Sequence, residues 1–498
     1  MRGWWRGGMT ALLATLLVAL GGAVTGLPVE DADADGIRVV QAQAQVRAQE
    51  AEAGARPNIV FVMTDDMRDD DLAAMPLTRH LLGEQGMEFG DAVSPHPLCC
   101  PARAQLVTGQ YAQNNGVQHN VGPFGGFQAL DPTHEISSWF TAAGYRTGFV
   151  GKFLNGYSAE EPRPSGWSTW DALVRGVYDY RDFAFADGDR RPRRFQDSYV
   201  TDVIAQRTNS LVRDLAADDE PFLVYSWHLA PHYRLADGRK AMPPAAQRDR
   251  KAFARALPPS LRTPAYNERR VTDQPRPFRQ RRETSYAEVV REHRARLRSL
   301  RAVDRAVASL VETLRESGEL DNTYIVFTSD NGYSLGEHRF IGKNVLTDEA
   351  LQVPLLVRGP DVSRGATSEL PVTLVDLPAT FAAIAGVEPR WMLDGTSLLP
   401  ALHGQAGTFR DTTLVQTGDD AGDGWAYRGV RTDRYLYGAN GSDVFLYDDL
   451  LDPHQLVNRA DDPAYAEVRA ELEARRAQLV TCAGWTCNQQ FGLMPEPH

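Results

Sequence analysis

The chain has 498 residues, with 53 Lys+Arg against 65 Asp+Glu for a net charge of −12, and 43% of its residues are hydrophobic. That share is ordinary for a globular protein and excludes a wholly disordered chain, while the length allows two or three domains. The acidic balance argues against nucleic acid or an anionic membrane surface as the main partner, and four cysteines in this length exclude a disulfide framework or a cysteine-rich zinc module.

Arg2 and Arg6 precede an apolar run over residues 9–24 with small residues behind it. The run is about 16 residues, short of the roughly 20 that span a bilayer, so it reads as a secretory signal peptide over 1–26 rather than an anchor. Export, with no membrane span after cleavage, is the expectation. Residues 27–56 are rich in Ala, Gln and acid and read as a flexible linker.

Residues 58–64 (NIVFVMT) form a β-branched apolar run, the pattern of a buried parallel strand. Asp65-Asp66 follow it directly. Adjacent carboxylates at a strand end repel unless neutralised, which suits a divalent cation; the plain alternative is an acidic loop continuing to Asp71. A helical pattern covers 77–84. A loop with Pro95 and Pro97 then leads into a helix beginning near Pro101, which places Cys99 at a helix N-terminus, with Arg103 four residues on. Three readings compete for Cys99-Cys100: a strained vicinal redox pair, buried structural thiols, or a catalytic residue in an anion site.

A helical pattern over 135–143 precedes the strand run 145–150 and Lys152. The stretch 155–195 carries no readable code. A helix over 199–215 leads to the strand run 222–227 and to His232. Residues 234–284 read as a long surface excursion across the active face; its Arg-rich later part would also suit holding an anionic substrate. A long helix over 286–317 returns to the strand run 323–328, which ends at Asp330-Asn331-Gly332. That triplet is either a turn or a second set of oxygen ligands at a strand end. Paired with Asp65 and Asp66 it would favour Ca²⁺ or Mg²⁺ over zinc. Lys343 follows, then the strand run 353–357 and a helix over 376–385. Lys152, His232 and Lys343 each read singly as surface charge, yet all fall at or just after strand ends.

Alternating strands and helices predict an α/β fold, a mostly parallel sheet between helices, with ligands beyond the carboxyl ends of the strands. Past about residue 400 the pattern changes to short strand-like runs at 412–416, 425–430, 434–437 and 444–447, with a closing helix over 465–480. Asn440-Gly441 signals a hairpin and also opens a glycosylation sequon. This predicts a smaller antiparallel α+β domain over 401–498 after a main domain over 57–400. Cys482 and Cys487 bracket a short loop and suit a local disulfide in an exported chain.

Cys99-x-Pro101-x-Arg103 followed by Thr108-Gly109 resembles the sulfatase signature, and its Cys-Cys-Pro-x-Arg form resembles the glucosamine-6-sulfatase and extracellular heparan-sulfatase branch. Segments 57–66 (PNIVFVMTDD), 151–156 (GKFLNG), 230–232 (APH), 329–338 (SDNGYSLGEH), 353–360 (VPLLVRGP), 394–400 (DGTSLLP) and 446–458 (LYDDLLDPHQLVN) follow in the family's order, so the resemblance spans roughly 57–480. Two places depart from it. The common Gly-Lys-x-His reads Gly151-Lys152-Phe153-Leu154, with Asn155 next, as that branch also has it. A Tyr-Glu pair usual after the lysine reads Thr347-Asp348-Glu349, and one residue is missing before Lys343.

The resemblance implies an alkaline-phosphatase-like fold and hydrolysis of sulfate monoesters, of a sulfated carbohydrate such as 6-O-sulfated glucosamine or of aryl sulfates. It implies that Cys99 is converted to formylglycine by a formylglycine-generating enzyme. Asp65, Asp66, Asp330, Asn331 and the converted Cys99 would hold Ca²⁺, with Mg²⁺ as the alternative. Arg103, Lys152, His232 and Lys343 would bind sulfate oxygens and handle the leaving group's proton. One hydroxyl of the hydrated aldehyde would attack sulfur, and the second would expel sulfate by re-forming the aldehyde. A phosphoester or phosphonate hydrolase of the same superfamily, and an unmodified protein that only binds sulfated glycans, are the other expectations.

Overall fold

The structure, a computed structural model, describes residues 56–498 except 189, 237, 406 and 408. The expected signal peptide, and the expected linker up to residue 55, lie outside the described residues. The main sheet is built from β1 (Asn58–Asp65), β2 (Met87–Phe89), β3 (Arg146–Gly151), β4 (Thr169–Arg175), β5 (Asp182–Asp187), β6 (Arg190–Gln196), β7 (Phe222–Pro231), β8 (Thr323–Ser329), β9 (Leu356–Arg358) and β10 (Ala366–Ser368). Among the described residues its order is β10-β2-β9-β8-β1-β7-β3-β4-β5-β6. The central run β8-β1-β7-β3-β4 is parallel.

The apolar runs are continuous because both faces of this centre are covered. Along β1, Ile59, Phe61 and Met63 point into one core with Tyr225 and Trp227, while Val60 and Val62 point into another with Val224 and Phe327. Helices α1 (Cys99–Thr108), α2 (Val200–Leu215), α3 (Tyr286–Glu316) and α4 (Asp376–Ala385) divide between these cores. Leu106 of α1 and Phe381 of α4 pack in the first. Ile204 of α2 and Val303 of α3 pack in the second. The result is three layers, helix–sheet–helix.

One expectation needs correction. The strand expected over 353–357 forms instead at Leu356–Arg358 and runs antiparallel to β8. The stretch 155–195 contains β4, β5 and β6, which extend one edge of the sheet. Phe183 and Phe185 are buried there, but the charged and glycine residues on either side of them hide the alternation.

The C-terminal part is an antiparallel meander of β11 (Thr413–Gly418), β12 (Trp425–Arg431), β13 (Tyr435–Asn440) and β14 (Asp443–Asp448), with α5 (Ala466–Leu479) beside it. Asn440 pairs with Asp443, so Gly441-Ser442 make the turn, and Gly441 takes the positive φ of 60° that the turn needs. Cys482 and Cys487 are joined by a disulfide. No helix among the described residues is long and apolar enough to cross a membrane.

Phe61 has no exposed surface, and its ring meets Tyr225 at 5.1 Å and Phe381 at 5.4 Å, tying β1 to β7 and α4. Phe61→Ala is expected to cost about 3–5 kcal/mol, read as a lower urea midpoint with an unchanged m-value.

Candidate active site

Strand register brings the candidate residues together. Thr64 lies opposite Ser329, Asp65 opposite Pro231, and Gly151 opposite Trp227. The carboxyl ends of β8, β1, β7 and β3 are therefore neighbours, and they lead directly to Asp330-Asn331, Asp65-Asp66, His232 and Lys152. Across them stands the N-terminus of α1, which begins at Cys99 with Pro101 still in its first turn.

Cys99 Sγ lies 3.4 Å from Asp65 Oδ1 and receives Lys343 Nζ at 2.7 Å. Lys343 also bonds Asp66 Oδ1, and Lys152 Nζ bonds Asp65 Oδ2. Arg103 is turned inward with no exposed surface. Its Nε donates to Asp330 Oδ2 at 2.9 Å and its Nη1 to Lys152 O at 2.6 Å, with Nη2 3.3 Å from Asp65 Oδ2. Asn331 Nδ2 donates to Asp66 Oδ1 at 2.9 Å. All the expected site residues thus converge, and the shortened spacing before Lys343 does not displace it. A two-stranded ribbon, Ser334–Leu335 against Ile341–Gly342, carries it back to the strand ends.

The charges hold one another. Burial pushes the Asp66 carboxyl up, but Lys343, His232 and the Asn331 hydrogen bond outweigh it and hold its pKa well below the usual range. Burial opposes the Lys343 ammonium, yet Asp66 and the other carboxylates raise it well above its ordinary value. Burial, then the Asp65 charge, pushes the Cys99 thiol up to about 12, so the unmodified side chain is a neutral thiol. Burial drives His232 well below its usual value despite Asp66. Its Nδ1 lies 2.7 Å from Tyr233 O, which can only accept, so Nδ1 carries the proton and Nε2 faces Asp66 Oδ2 at 3.8 Å.

The residues fit a hard cation. Asp66 Oδ2 and Asn331 Oδ1 are buried acceptors with no hydrogen-bond partner among the described residues. Asp65, Asp66, Cys99 and His232 each place an atom within 4.8 Å of the others. Three carboxylates, Asp65, Asp66 and Asp330, meet three cations, Arg103, Lys152 and Lys343. Oxygen donors dominate, as Ca²⁺ and Mg²⁺ require.

Other residues of the site were not evident beforehand. Asp66 is held at φ 69°, the left-handed region. Its N–H donates to Asp330 Oδ1 at 3.0 Å, and its carbonyl accepts from Arg296 Nη2 of α3. His293 and Arg296 sit among the buried residues of α3 with Val289 and Leu300; charged groups on an apolar helical face were the available signal. Tyr178 and Tyr233 flank His232, with ring centres at 4.5 and 4.0 Å from its imidazole. Cys100 is buried, takes the Asn155 N–H on its sulfur at 3.0 Å, and packs in the apolar core. In the excursion, Arg276 and Arg279 pair with Asp443 of β14.

The sulfatase family model matches residues 57–387. A model of the C-terminal part of N-sulphoglucosamine sulphohydrolase matches residues 336–481. The chain is 32% identical over 498 residues to the N-acetylglucosamine-6-sulfatase of Homo sapiens, covering 87% of this chain and 86% of that protein. It is 32% identical over 507 residues to the arylsulfatase of Volvox carteri, covering 89% of this chain and 77% of that protein. A solved structure in complex with its substrate, D-glucosamine-2-N,6-O-disulfate, shares the fold with a TM-score of 0.69 at 23% identity, covering 84% of this chain and 96% of that one. The chain belongs to the sulfatase family and is a sulfuric ester hydrolase.

Proposed function

We infer that this sulfatase is exported, that Cys99 acts after conversion to formylglycine by a formylglycine-generating enzyme, and that its substrate is a sulfated saccharide carrying 6-O-sulfated glucosamine. The observation that carries the reading is the convergence of Cys99, Asp65, Asp66, Asp330, Asn331 and Lys343 at adjacent strand ends. The name of the human relative supports the substrate class, and aryl sulfates are the simpler substrates to try first. The basic leader and apolar run of residues 2–24, and the Cys482–Cys487 disulfide, support export.

Asp65, Asp66, Asp330, Asn331 and the converted Cys99 would hold Ca²⁺ in preference to Mg²⁺. When bound, the cation would supply Lewis-acid stabilisation of charge on oxygen and turn a balanced set of carboxylates and cations net positive, as an anionic ester needs. The converted Cys99 would supply one hydroxyl to displace the ester at sulfur and a second to release sulfate. Arg103 holds Asp330 and Asp65 in place from beneath. Lys152 and Lys343 have ammonium donors at the strand ends and would bind oxygens of the transferring sulfate. Lys343, which keeps its proton, would protonate the departing alcohol, or His232 would do so once Nε2 has taken a proton in the presence of the anionic substrate.

The direct test is the mass of the tryptic peptide spanning residues 80–103 of the exported protein, which carries both Cys99 and Cys100. It should be lighter by the difference between hydrogen sulfide lost and oxygen gained, at Cys99 and not at Cys100. Two intact cysteines in protein that hydrolyses sulfate esters would remove this mechanism. Faster turnover of an aryl phosphate than of the matched aryl sulfate would favour the phosphorus hydrolase.

Two variants test the assigned roles. His232→Gln should lower kcat about 100-fold or more on a sugar sulfate, whose alkoxide leaves poorly, and far less on an aryl sulfate with an acidic phenol; equal losses would remove His232 as the acid. Added Ca²⁺ should raise the Tm of the wild type by linkage. Asn331→Ala, which deletes one orphaned oxygen, should shrink that rise; an undiminished rise would place the cation elsewhere.

A further inference from the structure

Directly after His232 the chain turns outward into a short hairpin, Arg234–Ala236 paired with Arg239–Ala241. Its base is anchored. Leu235 N–H donates to Tyr178 O at 3.0 Å, and Arg234 pairs with Asp179 at 2.9 Å. Its outer strand is exposed.

From solvent inward the side chains touch one another in turn, in a series of contacts that bends at His232. Lys240 Nζ lies 4.2 Å from the centre of the Tyr233 ring, and Tyr233 lies 4.0 Å from the His232 ring. Tyr178 stacks on His232 at 4.5 Å and carries Lys152 Nζ 4.5 Å from its own centre. The two tyrosine rings are nearly parallel, 10° apart with centres 6.3 Å from each other. The series therefore ends in an ammonium on each side. The buried one, Lys152, is paired with Asp65. Among the described residues no carboxylate pairs with the exposed one.

A lysine on an exposed strand has many rotamers, and the face of Tyr233 selects among them by cation–π attraction. Lys240 Nζ is thereby kept no farther from the His232 ring than the sum of two ring contacts. An ester sulfate held at the buried end does not use this cation. Any second acidic group on the same saccharide, projecting toward the hairpin, meets it on strands whose other charged residues, Arg234 and Arg239, are also basic.

We propose that Lys240, seated on Tyr233, is a second-anion subsite that binds a sulfate or carboxylate carried by the same saccharide as the ester under hydrolysis. This rests on the sulfatase reading of the buried end and narrows its substrate class to saccharides with at least two acidic groups.

The test compares kcat/KM on D-glucosamine 6-O-sulfate, on D-glucosamine-2-N,6-O-disulfate, and on a 6-O-sulfated disaccharide with a neighbouring uronate. In Lys240→Ala the ratio of doubly to singly anionic substrate should fall about two- to fivefold, mainly through KM, and added salt should narrow the difference between enzymes. Lys240→Arg and Tyr233→Phe should keep the ratio, and Tyr233→Leu should lower it. The doubly anionic substrate that responds identifies sulfate or carboxylate as the partner. An unchanged ratio in Lys240→Ala, or equal losses on all three substrates, would overturn the subsite. A wild type that cleaves aryl sulfates and none of these sugars would overturn the subsite and the saccharide class together. A wild type with converted Cys99 that cleaves no sulfate ester at all would instead overturn the reading of the buried end.

Discussion

Three carboxylates without solvent contact are the constraint on which this molecule is built. Asp65, Asp66 and Asp330 have no exposed surface. A buried carboxylate without a partner costs several kcal/mol or changes its protonation. The chain therefore has to deliver countercharge to one spot from elements far apart in sequence. Arg103 comes from a helix, Lys152 from the next strand end but one, and Lys343 from a ribbon that folds back. None of the three can be supplied unless β8, β1, β7 and β3 end in register. Site and sheet are thus one electrostatic problem, and a slip of one residue in β1 would leave charge stranded in the core.

The same logic explains why Asp66 tolerates an unfavourable backbone. Its amide is held by Asp330 and its carbonyl by Arg296. A left-handed aspartate costs little when both its peptide groups are bonded and its neighbours are already fixed. Arg296 thereby joins α3, which spans the second core, to the strand ends.

Much of this was readable beforehand because buried parallel strands advertise themselves. The runs 58–64, 222–227 and 323–328 carry few polar residues, and the chemistry falls at their carboxyl ends by a general rule of α/β sheets. What escaped was structure whose apolar residues are shared with charge. β5 and β6 lie at the sheet edge, where Arg194 pairs with Asp182 across the strands and the sequence looks like a loop. Arg296 looked like one more charge on a helix rich in arginine. Tyr178 had no signal, because its role depends on stacking against His232, which lies far along the sequence and is joined to it only by the fold; Tyr233 directly follows His232 and looked like any aromatic in a loop. The Arg-rich excursion illustrates the opposite case: a suggestive composition whose Arg276 and Arg279 turn to Asp443 of β14.

The C-terminal meander reaches toward the site through several contacts, one of them beside Lys343. Asn344, next to Lys343, donates from Nδ2 to Gly418 O at 2.9 Å and accepts the Gly418 N–H at 3.2 Å. Lys343 in turn lies on Cys99, which has no exposed surface. The lid over Cys99 is therefore fastened by a strand that begins at residue 413. Burial of the Cys99 sulfur therefore rests in part on the far end of the chain: a change in β11 that loosened Asn344 would reach Cys99 through Lys343 without touching the strand ends that carry the carboxylates.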